Sequence, residues 1–394
     1  MRRDDTLEKE SIGRTQLRNR NLKLVLQQII NNPGTSRVAI SHELNLNKST
    51  ISSLYNSLAE DHFIEELGEG ASSNVGGRKP IMARLNKKYG YTITFDLGYR
   101  QVHAVANYLN SEVIDHQEIN TKGQPIEVML QYCSDFVKEM QGEVVSNQGL
   151  LGICFSIHGI INQNKIVNSP WIEMNDTDIV EQFKETFDVP VILENEANLS
   201  AIYERDFNAG RYYHNSITFS IHRGIGAGII LGKRLFRGKQ GEAGEIGRSL
   251  TLLGPNTAGQ SVESFCSEEA IINRVKQLKH DDTIDRQAVV DLYRSKDHEV
   301  MRILLQSCSV IAGLMYNVVT TLNPDAIFIN SELLAELPDL LTEIKDNYQD
   351  IAQEELPIAL TKNTKFATLL GGCSLITHYV LGMMDYELHF EEAN

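Results

Sequence analysis

Apolar positions Leu22, Val25, Leu26, Ile29 and Ile30 recur at helical spacing and predict a helix over residues 17–30, which "NNPG" at 31–34 ends. Next comes "TSRVAISHELNLNKSTISSLYNSLAEDHFI". Ser36 is placed to cap a short helix through Leu44, Asn45 falls where a tight turn needs a left-handed residue, and Asn47 is placed to cap a second helix. In that second helix Ile51, Leu54 and Leu58 share one face, leaving Lys48, Ser49, Thr50, Ser52, Ser53 and Asn56 outward. The alternating runs "FIEELGEG" and "IMARLNKK" then predict a hairpin joined by "ASSNVGGRKP".

This is helix-turn-helix spacing followed by a wing. Short polar side chains on the outward face suit a major groove, and Arg78 and Lys79, between Gly77 and Pro80, suit phosphate contact. The same helices would also serve an adaptor that binds protein.

From residue 89 the period changes. Strands are predicted over 91–98, 102–109 and 112–119, a helix over 125–140, a strand through "GLLGICFSIHG", and another in "VPVILEN" leading to a helix near Glu196. Residues 215–238 repeat strand, glycine turn, strand, turn, short strand; a long apolar-faced helix over 299–322, the strand "DAIFIN" and a closing helix follow. The body reads as α/β, two lobes on one plan with a cleft between them, the usual place for a small ligand.

Bulk properties narrow the class. At 394 residues the chain suggests two or three domains, and with 42% hydrophobic residues it has no apolar run near the ~18 residues that span a bilayer. The charged N-terminus holds no signal-peptide core, so a cytoplasmic protein without a membrane role is expected. Five cysteines in no metal-ligand or redox spacing suggest buried thiols. Residues 1–90 carry 14 Lys/Arg against 10 Asp/Glu, whereas the remainder carries 23 against 42. A basic head on an acidic body points to a polyanion partner for the head alone.

Three glycine turns, "DLG" at 96–98, "IHG" at 157–159 and "RGIGAG" at 223–228, follow strands and can expose backbone N–H groups to a ligand. The stretch "LENEANLSA" at 193–201 sets Glu194, Asn195, Glu196 and Asn198 at the start of a helix, either as chemistry or as capping.

Together with "NKSTIS", "GGRKP", "ENEAN" and "GEAGEIG", these features resemble the ROK family of repressors and sugar kinases, specifically its repressor branch. The resemblance implies a winged helix-turn-helix over 18–88 after a flexible segment over 1–17. It further implies a two-lobed actin-like or sugar-kinase (ribonuclease H-like) body over 89–394. One lobe would comprise about 89–195 with the C-terminal helix at 370–385, the other about 196–369. The implied partners are operator DNA, a monosaccharide effector and a second copy of the chain in a homodimer.

It also implies a sugar site. Asn195, Glu196 and Glu245 would face sugar hydroxyls, which carboxylates and carboxamides suit by accepting and donating several hydrogen bonds. Arg248, Glu263 and Asn168 would line its edge. Family kinases carry an Asp general base where Glu196 stands, and the extra methylene displaces the carboxylate by about 1 Å, enough to cost on the order of 100-fold in rate. Their small-residue phosphate turn is here preceded by His222 and Arg223, and a glycine pair near the adenosine pocket is replaced by Asn330 and Ser331. No kinase activity and no cofactor are therefore expected. The family's structural zinc motif has Arg248 for its His and, counted back from Glu263, Gly254, Asn256 and Ser261 for its cysteines, so no zinc is expected. The expected function is a sugar-responsive repressor, xylose or a related sugar releasing it from its operator. The alternatives are an ATP-dependent sugar kinase with a DNA-binding head, and a DNA-binding regulator that no longer answers to sugar.

Overall fold

The structure, a computed structural model, describes residues 2–70, 79–175, 177–250, 259–352 and 355–391, with side chains from residue 15 onward. The head opens with α1 (Arg2–Asn31), which begins fifteen residues before the helix read from the sequence and takes in the segment expected to be flexible. β1 (Thr35–Ser36), α2 (Arg37–Glu43), α3 (Lys48–Glu60), β2 (Ile64–Glu69) and β3 (Ile81–Leu85) complete it. Ser36 Oγ accepts from the Ala39 amide, Asn47 Oδ1 accepts from the Thr50 amide at 2.8 Å, and Asn45 sits at φ 50° between the helices. Each satisfies a need of the turn: two open helix N-termini and one left-handed residue. Asn47→Ala should cost about 1 kcal/mol of head stability in chemical denaturation; an unchanged midpoint would deny the cap its role.

In the body, the first lobe holds β4 (Tyr91–Leu97), β5 (Gln101–Tyr108), β6 (Val113–Asn120), α4 (Ile126–Glu143), β7 (Leu150–Ile157), the hairpin β8 (Ile160–Asn162) and β9 (Lys165–Asn168), α5 (Ile179–Phe187) and β10 (Val191–Asn195). α6 (Glu196–Phe207) crosses to the second lobe. There lie β11 (Ser216–Ile221), β12 (Ile225–Leu231), β13 (Arg234–Leu235), α7 (Glu263–Cys266), α8 (Glu268–Lys279), α9 (Arg286–Arg294), α10 (His298–Leu322), β14 (Ala326–Asn330), α11 (Glu332–Glu336), α12 (Pro338–Ile351) and β15 (Ile358–Leu360), followed by α13 (Ala367–Val380). The sheets run β6-β5-β4-β7-β10 and β13-β12-β11-β14-β15. In each, the first three strands in sequence pair antiparallel and the last two add in parallel. The two lobes thus share one plan, as their repeating strand pattern suggests.

α10 is long and apolar enough to meet the length and hydropathy of a membrane-crossing helix. It is a core helix: Val300, Ile303, Leu304, Ile311 and Met315 are buried against the second-lobe sheet and α12. The five cysteines are each buried and free.

α6 and α13 lie back to back between the sheets, α6 against β11 and β12, α13 against β4 and β7. Glycines permit this closeness. A Cβ at Gly371 would lie 1.9 Å from the Leu199 carbonyl oxygen, and one at Gly228 would lie 2.3 Å from that of Ala197. Gly371→Ala should accordingly force the helices apart and lower the thermal midpoint by several degrees, a shift corresponding to about 1–3 kcal/mol.

The far end of α6 enters the head. Tyr203 and Phe207 share one buried cluster with Val25, Ile29, Ile51, Tyr55 and Leu58 of the helix-turn-helix. Beyond α13 the chain is no longer helical, although the sequence suggests helix to 385. Residues 381–391 instead form a strap: Asn31 donates to the Glu387 carbonyl at 2.9 Å and accepts from the His389 amide at 2.8 Å, while the Phe390 amide donates to the Asp206 carbonyl at 2.9 Å. Apolar residues at 381, 383, 388 and 390 are satisfied by the head's core rather than by a helix face.

Candidate effector site and DNA-binding face

"LENEANLSA" is where β10 ends and α6 begins. Glu194 is buried at the strand end, where its carboxylate accepts from the Asn195 amide at 2.9 Å, from Asn198 Nδ2 at 2.8 Å and from Arg237 at 2.7 Å. Asn195 Oδ1 caps α6 by accepting from the Ala197 and Asn198 amides, and its Nδ2 donates to the Gly159 carbonyl at 2.7 Å. One Nδ2 hydrogen is left for a ligand. Glu196, at the first position of the helix, accepts through Oε1 from Ser220 Oγ at 2.6 Å and Thr368 Oγ1 at 3.2 Å, with His222 Nε2 at 3.6 Å. Its Oε2 has no partner among the described residues, so the carboxylate is fixed by one oxygen and open at the other.

Around the second-lobe edge, Gly244 has φ 97°, and a Cβ there would strike the Ala227 carbonyl, so the chain presses against β12 before presenting Glu245. Glu245 is salt-bridged to Arg248 at 3.1 Å; burial, with Glu263 and Glu242 nearby, nevertheless raises its carboxyl pKa against the pull of Arg248. Glu263 Oε2 would lie 3.2 Å from a Cβ at Gly224 and 3.0 Å from one at Gly247. Glu245, Arg248 and Glu263 therefore gather beside the glycine turn that follows His222. Gly254 and Asn256 lie outside the described residues. Asn168 is exposed on β9, where its backbone walls Gly159 and its side chain borders a shallow depression with Asn164, Lys165 and Met174.

Between the lobes lies a cavity of about 340 Å³ that Glu196 shares with Asp96, His158, His222, Arg223 and Trp171; the other five expected sugar residues do not line it. Asp96 and His158, 3.1 Å apart, form an ion pair in its wall. Burial raises the Asp96 pKa, but the His158 charge and its hydrogen bond outweigh it and hold the carboxyl low. Burial opposes charge on His158 too, yet Asp96 lifts that pKa to about 9. A raised histidine stabilises fully below its ordinary value of 6.5 and loses that contribution as pH climbs through about 9; the lowered Asp96 contributes above its ordinary value and fades in acid. The pair thus stabilises from mildly acidic pH up to about 9, and the thermal-midpoint difference between wild type and Asp96→Asn should shrink across the alkaline step. A constant difference would sink this account. The pair, joining β4 to the turn after β7, was not legible in the sequence beyond "DLG" and "IHG".

On the head, Ile51, Leu54, Tyr55 and Leu58 are buried, whereas Lys48, Ser49, Ser53 and Asn56 are exposed and Thr50 and Ser52 half-exposed. Lys79 lies 3.6 Å from Glu69 at the start of the wing, both exposed; Arg78 falls outside the described residues.

A winged helix fused to a two-lobed sugar-kinase body defines the class, and the sequence comparisons agree. The ROK family profile matches residues 92–378 and a winged helix-turn-helix DNA-binding profile matches 18–65. The chain belongs to the ROK family. It is 80% identical over 388 residues to a xylose repressor of Lactiplantibacillus pentosus, covering 98% of this chain and all of the relative. A ROK family transcriptional regulator, described as a homologue of the Escherichia coli MLC protein, superposes on 93% of this chain and 98% of its own with a TM-score of 0.79 at 19% identity. A ROK hexokinase from Thermus thermophilus covers 74% of this chain and 98% of its own, with a TM-score of 0.61 at 21% identity. The chain is a sugar-responsive transcriptional regulator of the repressor branch and not an enzyme.

Proposed function

We propose that this repressor is released from its operator by xylose or a closely related pentose bound between the lobes, against Asn195, Glu196 and Glu245, with Arg248, Glu263 and Asn168 at the edge. The observation that carries the reading is α6. Its first residue, Glu196, offers a free carboxylate oxygen to the cleft, and its last turn, through Tyr203 and Phe207, is part of the head's own core. A sugar that prefers one tilt of α6 thereby favours one setting of the head, and a differential affinity of about 1–3 kcal/mol gives the usual scale of such coupling. The xylose-repressor name of the 80% identical relative supports the choice of sugar. The test is fluorescence anisotropy of a labelled operator with a panel of pentoses and hexoses: xylose should release it at lower concentration than glucose or galactose, and no release by any sugar would remove the effector claim.

Operator contact is assigned to Lys48, Ser49, Thr50, Ser52, Ser53 and Asn56 in the major groove and to Arg78 and Lys79 on the wing. Lys48→Ala should weaken binding at every sequence and reduce the slope of log K against log salt by about 1; an unchanged slope would take Lys48 off the phosphate backbone. A homodimer presenting two heads to a two-fold operator is the expected cytoplasmic form, checked by sedimentation with and without DNA.

A further inference from the structure

The lobes are tied together at one place that none of the sugar or DNA assignments uses. The turn between β4 and β5, at 98–100 in the first lobe, carries Tyr99 and Arg100. The Arg223 guanidinium of the second lobe lies over two rings of the first, 3.6 Å from the Tyr99 ring centroid and 4.3 Å from that of Trp171. The next residue of the turn, Arg100, reaches back across the cleft to Glu269 at 3.2 Å. All five side chains line the cavity that contains Glu196. A guanidinium over an aromatic face is attracted by the ring quadrupole, and here two rings contribute. Arg223 Nε is buried with no hydrogen-bond partner among the described residues. Its guanidinium meets two rings of the opposite lobe.

Resting on the reading that sugar binds between the lobes, we propose that Arg223 is a positioning residue for the effector response: held by Tyr99 and Trp171, it pins the lobes together across the cavity mouth and lowers the sugar concentration that the response requires. The Arg100–Glu269 pair is the second pin. The closed cleft keeps a bound sugar, because the sugar can leave only when both pins part. Loss of a pin favours the open cleft and weakens sugar binding without touching the surface that meets DNA.

Trp171 is the sole tryptophan of the chain, so its fluorescence reports this place alone. The experiment compares full-length wild type, Arg223→Ala, Arg223→Lys and Glu269→Gln by acrylamide quenching of Trp171 without sugar and by xylose titration of the protein–operator complex, with circular dichroism to establish folding. Arg223→Ala should raise the quenching constant and shift half-release to about fivefold higher xylose or more, and Arg223→Lys should recover part of both. Glu269→Gln is the discriminating variant, since removing that carboxylate bares Trp171 only by letting the lobes part. Raised quenching in Glu269→Gln supports the pin. Wild-type quenching in Glu269→Gln, or wild-type half-release in Arg223→Ala, overturns it. Should no sugar release even the wild type, the sugar reading fails, and the quenching comparison made without sugar still decides whether the pin exists.

Discussion

Glu196→Gln is expected to leave operator affinity unchanged while raising the xylose concentration for half-release by roughly 10- to 100-fold. The substitution preserves shape and the Oε1 acceptor that Ser220 and Thr368 hold. It replaces the free, charged acceptor with an amide that can only donate, and a hydrogen bond to a charged group contributes about 1.5–3 kcal/mol. Operator binding should survive because Glu196 lies in the cleft, at the opposite end of α6 from the head. Anisotropy titration reads both quantities at once. Equal half-release in the two proteins would move the sugar away from Glu196, and loss of operator binding would make Glu196 a folding residue.

The second large effect is expected at the other end of the same helix. Phe207 is buried, stacks on Tyr203 with centroids 5.6 Å apart and meets Phe390 of the C-terminal strap at 5.3 Å. Phe207→Ala removes a ring shared by α6, the strap and the head, and should cost about 3–5 kcal/mol in urea denaturation. Phe207→Leu keeps most of the volume and should cost less than about 1.5 kcal/mol. If α6 transmits sugar binding to the head, Phe207→Leu should still bind operator while needing more sugar to leave it, because the smaller side chain lets the helix end shift without moving the head. A Phe207→Leu protein with wild-type half-release would place the coupling elsewhere, the strap being the next candidate.

Much of this fold was legible because its signals are local. The caps at Ser36 and Asn47 and the left-handed Asn45 are set by side chains acting within three residues of themselves, so the helix-turn-helix follows from spacing. Both lobes declared themselves through strand alternation and glycine turns. The start of α6 after "LEN" was likewise readable, since Asn195 caps the helix it precedes. Residues 381–385 misled because an apolar sequence after a helix reads as more helix, and only the distant head makes them part of a strap.

The site divided in the same way. The sequence by itself determined which side-chain types stand at the candidate positions: Glu at 196, Arg at 248, His222 and Arg223 ahead of the glycine turn, and a basic head on an acidic body. These are statements of side-chain type and charge, which composition and position fix. Only the tertiary structure decided that one Glu196 oxygen is spent on Ser220 and Thr368, that Arg223 lies over Tyr99 and Trp171, that His158 sits 3.1 Å from Asp96, and that α6 ends inside the head. Each joins residues tens to hundreds of positions apart, brought together by packing two sheets and a head around α6 and α13, and no local spacing encodes that approach.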